Sequence, residues 1–278
     1  MWVSKRLKQL PIITLTTDLG YKDHYVAAVK GAIYKGFQDA IIVDISNDVK
    51  KFDYGSAAFL LRSVWSNFPV GTIHINAVEN QLVSNDLFLG IKYKGHYFIG
   101  PDNGVFSLVL KDEKPDEIFQ LNSVINFSSQ SFPLLDVLVP AACRLAKGND
   151  LSNLGVVKDN IAKSISYNCT LEENRIIGRI SYIDNYGNCI SNISKFDFDA
   201  VFKNKPFQIR LKNRDYYLNT LSNSYHDLPG GEILVLMNSL NLLEISQSYG
   251  NAEKYLGLKL GDNIHIEKDD NKIGKAYF

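Results

Sequence analysis

Residues 14–25 read TLTTDLGYKDHY, and the reading of the whole fold turns on them. An apolar, β-branched run from Ile12 to Thr16 has the look of a strand, and it stops at Thr17-Asp18. Beyond Gly20, apolar residues recur at helical spacing: Tyr25, Val26, Val29 and Ile33. A strand passing into a helix through a turn that carries two carboxylates, Asp18 and Asp23, is how an α/β sheet begins. Ligands of such sheets gather at the carboxyl ends of the strands. Asp18 stands at such an end. Spacing alone leaves two readings open for it: a helix cap or surface acid, or a carboxylate that accepts hydrogen bonds from a vicinal diol such as a ribose.

Outward from this stretch the same alternation continues. AIIVDI (40–45) reads as a buried strand, DYGSAAFLLRSVWSNF (53–68) as an amphipathic helix ended by Pro69 and Gly71, and GTIHINAV (71–78) as another strand. LFLGIKYKGHYFIGP (87–101) divides into two strands around Tyr93-Lys94-Gly95, and residues 133–147 form a further helix. This predicts a mostly parallel sheet covered by helices on both faces, an N-terminal α/β domain over 1–165. Residues 148–172 read as a connection. Beyond 172 the strands are short (NRIIGRISYID, FQIRL, EILVLM, NIHIEK) and turn signals such as Leu228-Pro229-Gly230-Gly231 separate them. That predicts a small antiparallel β-barrel domain over 172–278.

Composition bounds the partners. Thirty basic and thirty acidic side chains cancel, so no basic field draws the chain to nucleic acid or to a membrane surface. No run approaches the roughly 20 apolar residues of a transmembrane helix. The basic, briefly apolar N-terminus runs through Pro11 straight into the first strand without a cleavage motif. Cys143, Cys169 and Cys189 sit in unrelated contexts, as free thiols in a reducing compartment do. The expectation is a cytoplasmic protein. The five histidines form no pair at ligand spacing, so no metal site and no resident cofactor is expected.

Four segments carry polar residues beyond what turns require or stand where a pocket forms. The first is 17–23. The second, GPDNGVF (100–106), is a turn after a strand in which Gly104 supplies an unusual backbone angle, with a pocket-lining loop as the alternative. The third, YIDNYGNCISN (182–192), interleaves Asp184, Asn185, Asn188 and Asn192 with Tyr186 and Gly187. A hairpin needs only Asn-Gly or its like, so this turn either is architecture or reads the charged groups of a small ligand. The fourth, 238–262, opens on Asn238-Ser239 after a strand and ends in the short helix NAEKYLG.

Taken together and in order, these pieces resemble a known family. They are TTDLGYKDHYVAAVKGAI, DISNDVKKFDYGSAAFLL, FPVGTIHI, FIGPDNGVFS, VPAA, YIDNYGNCISNI and NSLNLLEI followed by GNAEKYLGLKLGD. The sequence is similar to the S-adenosylmethionine (SAM) hydroxide adenosyltransferases, adenosine-forming SAM hydrolases related to the fluorinases and chlorinases. The resemblance implies a homotrimer with pockets between the N-domain of one subunit and the C-domain of its neighbour. It implies SAM or adenosine as the ligand, and a role for each matching residue. Asp18 would bind the ribose hydroxyls and Asp23 the methionine side. Phe52 would lay an aromatic ring against adenine. Asp184 would pair with the methionine ammonium, with Tyr186 and Asn188 as adjacent contacts. Ser239 would meet the methionine carboxylate, and Asn251-Ala252 the adenine edge.

The sequence departs from the family where water is activated. The hydrolases use an Asp, Arg and His trio, set in D-P-G-V-G-x-x-R and F-H-G-R-D. Here Glu79 stands for the Asp and Asp86 for the Arg. Pro133 replaces the His, Leu135 replaces the second motif's Arg, and Leu134 takes the place of a halide-contacting Ser. A proline neither takes nor gives a proton. Glu79 remains as a lone catalytic base. Three functions are therefore expected: slow SAM hydrolysis through Glu79, non-catalytic SAM or nucleoside binding, or a new activity on an altered substrate.

Overall fold

The computed structural model describes residues 10–79, 88–111, 113–121, 131–165, 168–211 and 217–269. The chain divides into two compact units, residues 1–166 and 167–278.

The N-terminal unit holds strands β1 (Ile12–Thr17), β2 (Ile41–Ser46), β3 (Ile73–Ala77), β4 (Phe88–Tyr93), β5 (His96–Pro101), β6 (Glu117–Leu121) and β7 (Gly155–Val157). Its helices are α1 (Tyr25–Gly36), α2 (Tyr54–Val64), α3 (Val105–Leu110) and α4 (Val139–Ala146). The sheet order is β2-β1-β3-β5-β4-β6-β7. Strands β2, β1, β3 and β5 are parallel, whereas β4, β6 and β7 join antiparallel. The change of direction has a local cause. Lys94-Gly95 joins β4 to β5 with φ of 48° and 78°, a two-residue hairpin turn, and so short a link cannot carry a parallel crossover. The sheet is therefore mixed, parallel where helices connect the strands. Strand β7 lies in the stretch expected to be a plain connection.

The apolar pattern of α1 is used as its spacing predicts: Val26, Val29 and Ile33 are buried. With Ala141 and Ala142 of α4, Val29 and Ile33 cover Ile13, Leu15, Ile73 and Ile75 on one face of the sheet. Ala57, Ala58 and Leu61 of α2 and Phe106 of α3 pack with Phe98 on the other. Each large aliphatic side chain buried this way stabilises the unit by about 1.5–3 kcal/mol. Asp53 caps α2, accepting the Ser56 N–H at 2.9 Å, a contact worth about 1 kcal/mol. The expected helix over 133–147 begins as a π-helical turn, Leu134–Leu138, before α4. A polar pair lies inside this core. His74 Nδ1 bonds Thr14 Oγ1 at 2.8 Å, and its Nε2 meets His96 Nδ1 at 3.2 Å. Burial, and then His96 beside it, pushes the His74 pKa down to about 3; burial lowers that of His96 also.

The C-terminal unit is an antiparallel, nearly closed barrel. Its strands are β8 (Thr170–Glu172), β9 (Arg175–Ile183), β10 (Cys189–Ser194), β11 (Phe207–Leu211), β12 (Tyr217–Leu218), β13 (Ile233–Met237), β14 (Leu242–Gln247) and β15 (Asn263–Lys268). The order is β12-β11-β15-β9-β10-β14-β13, with β8 also on β9. Alternate residues of β9 face inward, Ile176 and Ile180 among them, as the period of a strand requires. Helix α5 (Lys195–Phe202) starts from a capping box between Ser194 and Asp197, and α6 (Ala252–Leu256) starts at Asn251. Among the described residues no helix is long and apolar enough to cross a membrane.

Candidate functional site

In the N-terminal unit, Asp18 ends β1 and is not a helix cap. Helix α1 starts at Tyr25, with His24 in the cap position. Asp18 Oδ2 instead accepts the main-chain N–H of Phe52 at 3.0 Å and that of Glu79 at 3.5 Å. Phe52 directly precedes the α2 cap and Glu79 lies just past β3, so one carboxylate joins the end of β1 to the segments that follow β2 and β3. Both donors have left-handed backbones, φ 64° at Phe52 and 52° at Glu79. That conformation costs a residue with a side chain about 1–2 kcal/mol, and such strain collects where a ligand is held. The candidate base and the candidate diol acid thus stand on neighbouring strand ends. Phe52 presents a ring that is 56% exposed, and Asp23 is exposed on the bend before α1. Asp86 lies outside the described residues.

Asn47 fixes this turn, and sequence reasoning passed over it. It is fully buried; its Oδ1 accepts the Thr17 hydroxyl at 2.9 Å, and its amide donates to Tyr21 Oη at 3.3 Å. Its carbonyl receives the Gly20 N–H at 2.7 Å. No pattern along the chain marks it, because the strand before it, β2, is only half-buried.

In the C-terminal unit, Asp184 organises its own turn. Oδ1 accepts the N–H groups of Tyr186 and Asn188, each at 2.9 Å, and Oδ2 accepts Asn188 Nδ2 at 2.9 Å. These use three of the roughly four acceptor positions of a carboxylate, so one direction stays open to a ligand donor. Gly187, at φ 82°, turns the chain under Asn251, and a Cβ there would sit 2.2 Å from the Asn251 amide nitrogen. Its carbonyl receives the Glu253 N–H at 2.9 Å, while Asn251 caps α6 through the Lys254 N–H at 2.8 Å. Asp184, Tyr186, Asn188, Asn251 and Ala252 therefore form one knot. Ser239 is not part of it: it stands, exposed, on the β13–β14 hairpin.

Acidic side chains cluster about the knot. Burial, then Glu253, Asp184 and Glu244 in that order, push the Cys189 thiol up to about 12. An acidic environment of this kind suits a cationic ligand.

The segment that should carry the remaining water-activating groups offers none at the matching positions. Phe132 meets Tyr25 edge-on at 5.5 Å. Pro133 precedes the π-helical turn, Leu134 is fully buried in the core, and Leu135 packs against that core. The nearest acid on the segment is Asp136, whose Oδ2 is buried with no hydrogen-bond partner. In the 100–106 stretch Gly104 has φ 93°, and Asn103 donates to the carbonyl of Val78, the residue before Glu79, at 3.3 Å. Among the described residues no group of three or more metal-ligating side chains occurs.

Comparison with known proteins matches both units. The profile of the SAM hydroxide adenosyltransferase N-terminal domain matches residues 13–155, and that of the C-terminal domain residues 178–265. A (R)-S-adenosyl-L-methionine hydrolase of Methanocaldococcus jannaschii is 29% identical, over 92% of this chain and 96% of that protein. A fluorinase of Actinopolyspora mzabensis is 22% identical, over 93% of this chain and 97% of the relative. The crystal structure of an uncharacterized conserved protein from Thermotoga maritima superposes with a TM-score of 0.85 at 27% identity, covering 92% of this chain and all of that one.

Proposed function

The chain belongs to the SAM hydroxide adenosyltransferase family, and on that premise we propose that it binds SAM and hydrolyses it slowly to adenosine and methionine. The observation that carries this reading is the meeting of Asp18 with the Glu79 backbone at the ends of β1 and β3. In the proposed complex Asp18 takes the ribose diol, Phe52 lies on adenine, and Asp23 lies on the methionine side. Asp184 faces the methionine ammonium beside Tyr186 and Asn188. Ser239 faces the methionine carboxylate, and Asn251-Ala252 the adenine edge. Water attacks C5′ as the C5′–sulfur bond breaks; the sulfonium leaves as the neutral thioether of methionine, and Glu79 takes the proton. The cationic leaving group is already in the substrate, so alignment in a dry site supplies most of the acceleration. The working form is proposed to be a cytoplasmic homotrimer.

Incubation of the purified protein with SAM, followed by chromatography, tests this. Adenosine should form above the spontaneous rate and fall to that rate in Glu79→Gln. No adenosine from the wild-type protein over hours overturns the enzymatic reading. A second reading is favoured by Pro133 and Leu135, which remove the groups that prepare water: the chain binds SAM or adenosine without turnover. Calorimetry separates the two, since tight binding with no product selects the second.

A further inference from the structure

Glu244 is a charged residue the mechanism does not use, and it is 2% exposed although it lies on the face of β14 opposite the core residues Leu243 and Ile245. Its oxygens face three neutral donors: Tyr225 Oη at 2.9 Å and Ser246 Oγ at 2.7 Å on Oε1, and Asn238 Nδ2 at 2.9 Å on Oε2. No described lysine or arginine forms an ion pair with it. Burying a carboxylate without a cationic partner is unfavourable, and an apolar residue would pack there with less desolvation. The arrangement therefore does something other than stabilise the barrel.

What it does is visible in the Asn238 amide. An amide can turn either edge toward a neighbour, and Glu244 accepts only a donor, so Nδ2 must face it. Oδ1 is then aimed at the main chain, where it accepts the N–H of Leu240 at 2.9 Å and of Leu242 at 3.2 Å. The turn is closed by Asn238 N–H to the Leu242 carbonyl at 2.9 Å and Asn241 N–H to the Asn238 carbonyl at 2.8 Å. Asn241 takes a left-handed φ of 56° to fit. The residue lifted to the tip of this turn is Ser239.

We infer that Glu244 is a positioning residue: by dictating which way the Asn238 amide faces, it sets the conformation of the turn that presents Ser239 to the ligand. The ligand part of this inference rests on the SAM-binding reading above; the turn part does not. Tyr225 extends the same unit. It is 42% exposed, and burial, then the charge and hydrogen bond of Glu244 and the charge of Asp184, push its hydroxyl up to about 12.

The test inverts the hydrogen-bond polarity. Asn238→Asp keeps the acceptor for Leu240 and Leu242 but sets one carboxylate against another. Adding Glu244→Gln supplies an amide donor to the introduced carboxylate and keeps an acceptor for Tyr225 and Ser246. In the full-length protein, hydrogen exchange at the Leu240 and Leu242 amides and SAM affinity by calorimetry are read together. Asn238→Asp should speed exchange at both amides and weaken SAM by roughly tenfold, the worth of one good hydrogen bond. The double variant should recover both, and Glu244→Gln alone should change little because the two hydroxyls can rotate to accept. Exchange unchanged in Asn238→Asp, or no recovery in the double variant, overturns the positioning role. Recovery of exchange without recovery of affinity overturns its link to Ser239. If the wild-type protein fails to bind SAM, the ligand reading falls, and the exchange pattern alone decides whether Glu244 sets the turn.

Discussion

Asp18 and Asp184 are both carboxylates that collect main-chain N–H groups, yet they are built in opposite ways. The donors to Asp18 are Phe52 and Glu79, which reach it only after strands β1, β2 and β3 have paired. The donors to Asp184 are Tyr186 and Asn188, within its own turn. The first constellation is a product of the whole sheet; the second is nearly complete in one short run of consecutive residues. A site assembled from distant strands fails when its scaffold loosens. A site made from one turn fails when the turn cannot form.

Acid should separate the two most strongly. In the N-terminal unit burial, and then His96 beside it, pushes the His74 pKa down to about 3 from its usual value near 6.5. Between those values the unfolded chain binds protons that the folded unit refuses. Stability is full above about pH 6.5 and is lost as pH falls, by roughly 5 kcal/mol at the acid end. Trp65 packs edge-on to His96 at 5.1 Å, so its fluorescence should report the loss directly. His74→Gln should flatten the dependence. A pH-independent N-terminal unit would contradict this origin of the acid sensitivity.

The next effect is local to the other unit. Gly187→Ala forces a left-handed residue against the Asn251 amide and should cost about 3 kcal/mol in denaturant unfolding. A tolerated alanine would mean that the turn and α6 are not locked.

Smaller, and more telling for function, are the acids themselves. Asp18→Ala should weaken SAM by about 1–3 kcal/mol in calorimetry. Asp184→Ala should weaken it comparably and also lower the melting temperature, because the turn loses its organiser. Equal stability losses in the two variants would erase the distinction drawn here. Last, Asp53→Ala should cost about 1 kcal/mol of stability through its lost cap and leave SAM affinity unchanged.

Much of the architecture was legible. Strong periodicity in 22–36 and 53–68 points to α1 and α2, and the alternation of strand and helix points to the layered N-terminal unit. What escaped were elements whose cause is not local. β10 and β14 read as polar turns because their ends carry Asp184, Asn188 and Ser239, and α5 is too short and mixed to show a period. The antiparallel edge followed from a two-residue turn whose strand partners no period reveals. Of the candidate site, motifs named the residues, but only the fold shows that Asp18 joins the end of β1 to the segments after β2 and β3 or that Ser239 is not part of the Asp184 knot. Asn47 and Glu244 stayed invisible for one reason: each works by aiming another group, and that leaves no pattern along the chain.

The wide π-helical turn at Leu134–Leu138 has a consequence of its own. It holds one more residue than a regular helix would use over the same rise, a surplus taken up as a bulge while the flanks at Pro133 and α4 keep their seats. Excising a single residue there would tighten the coil without re-phasing anything downstream. Pro133 thus borders a bulge whose buried members, Leu134, Val137 and Leu138, tie its shape to the core.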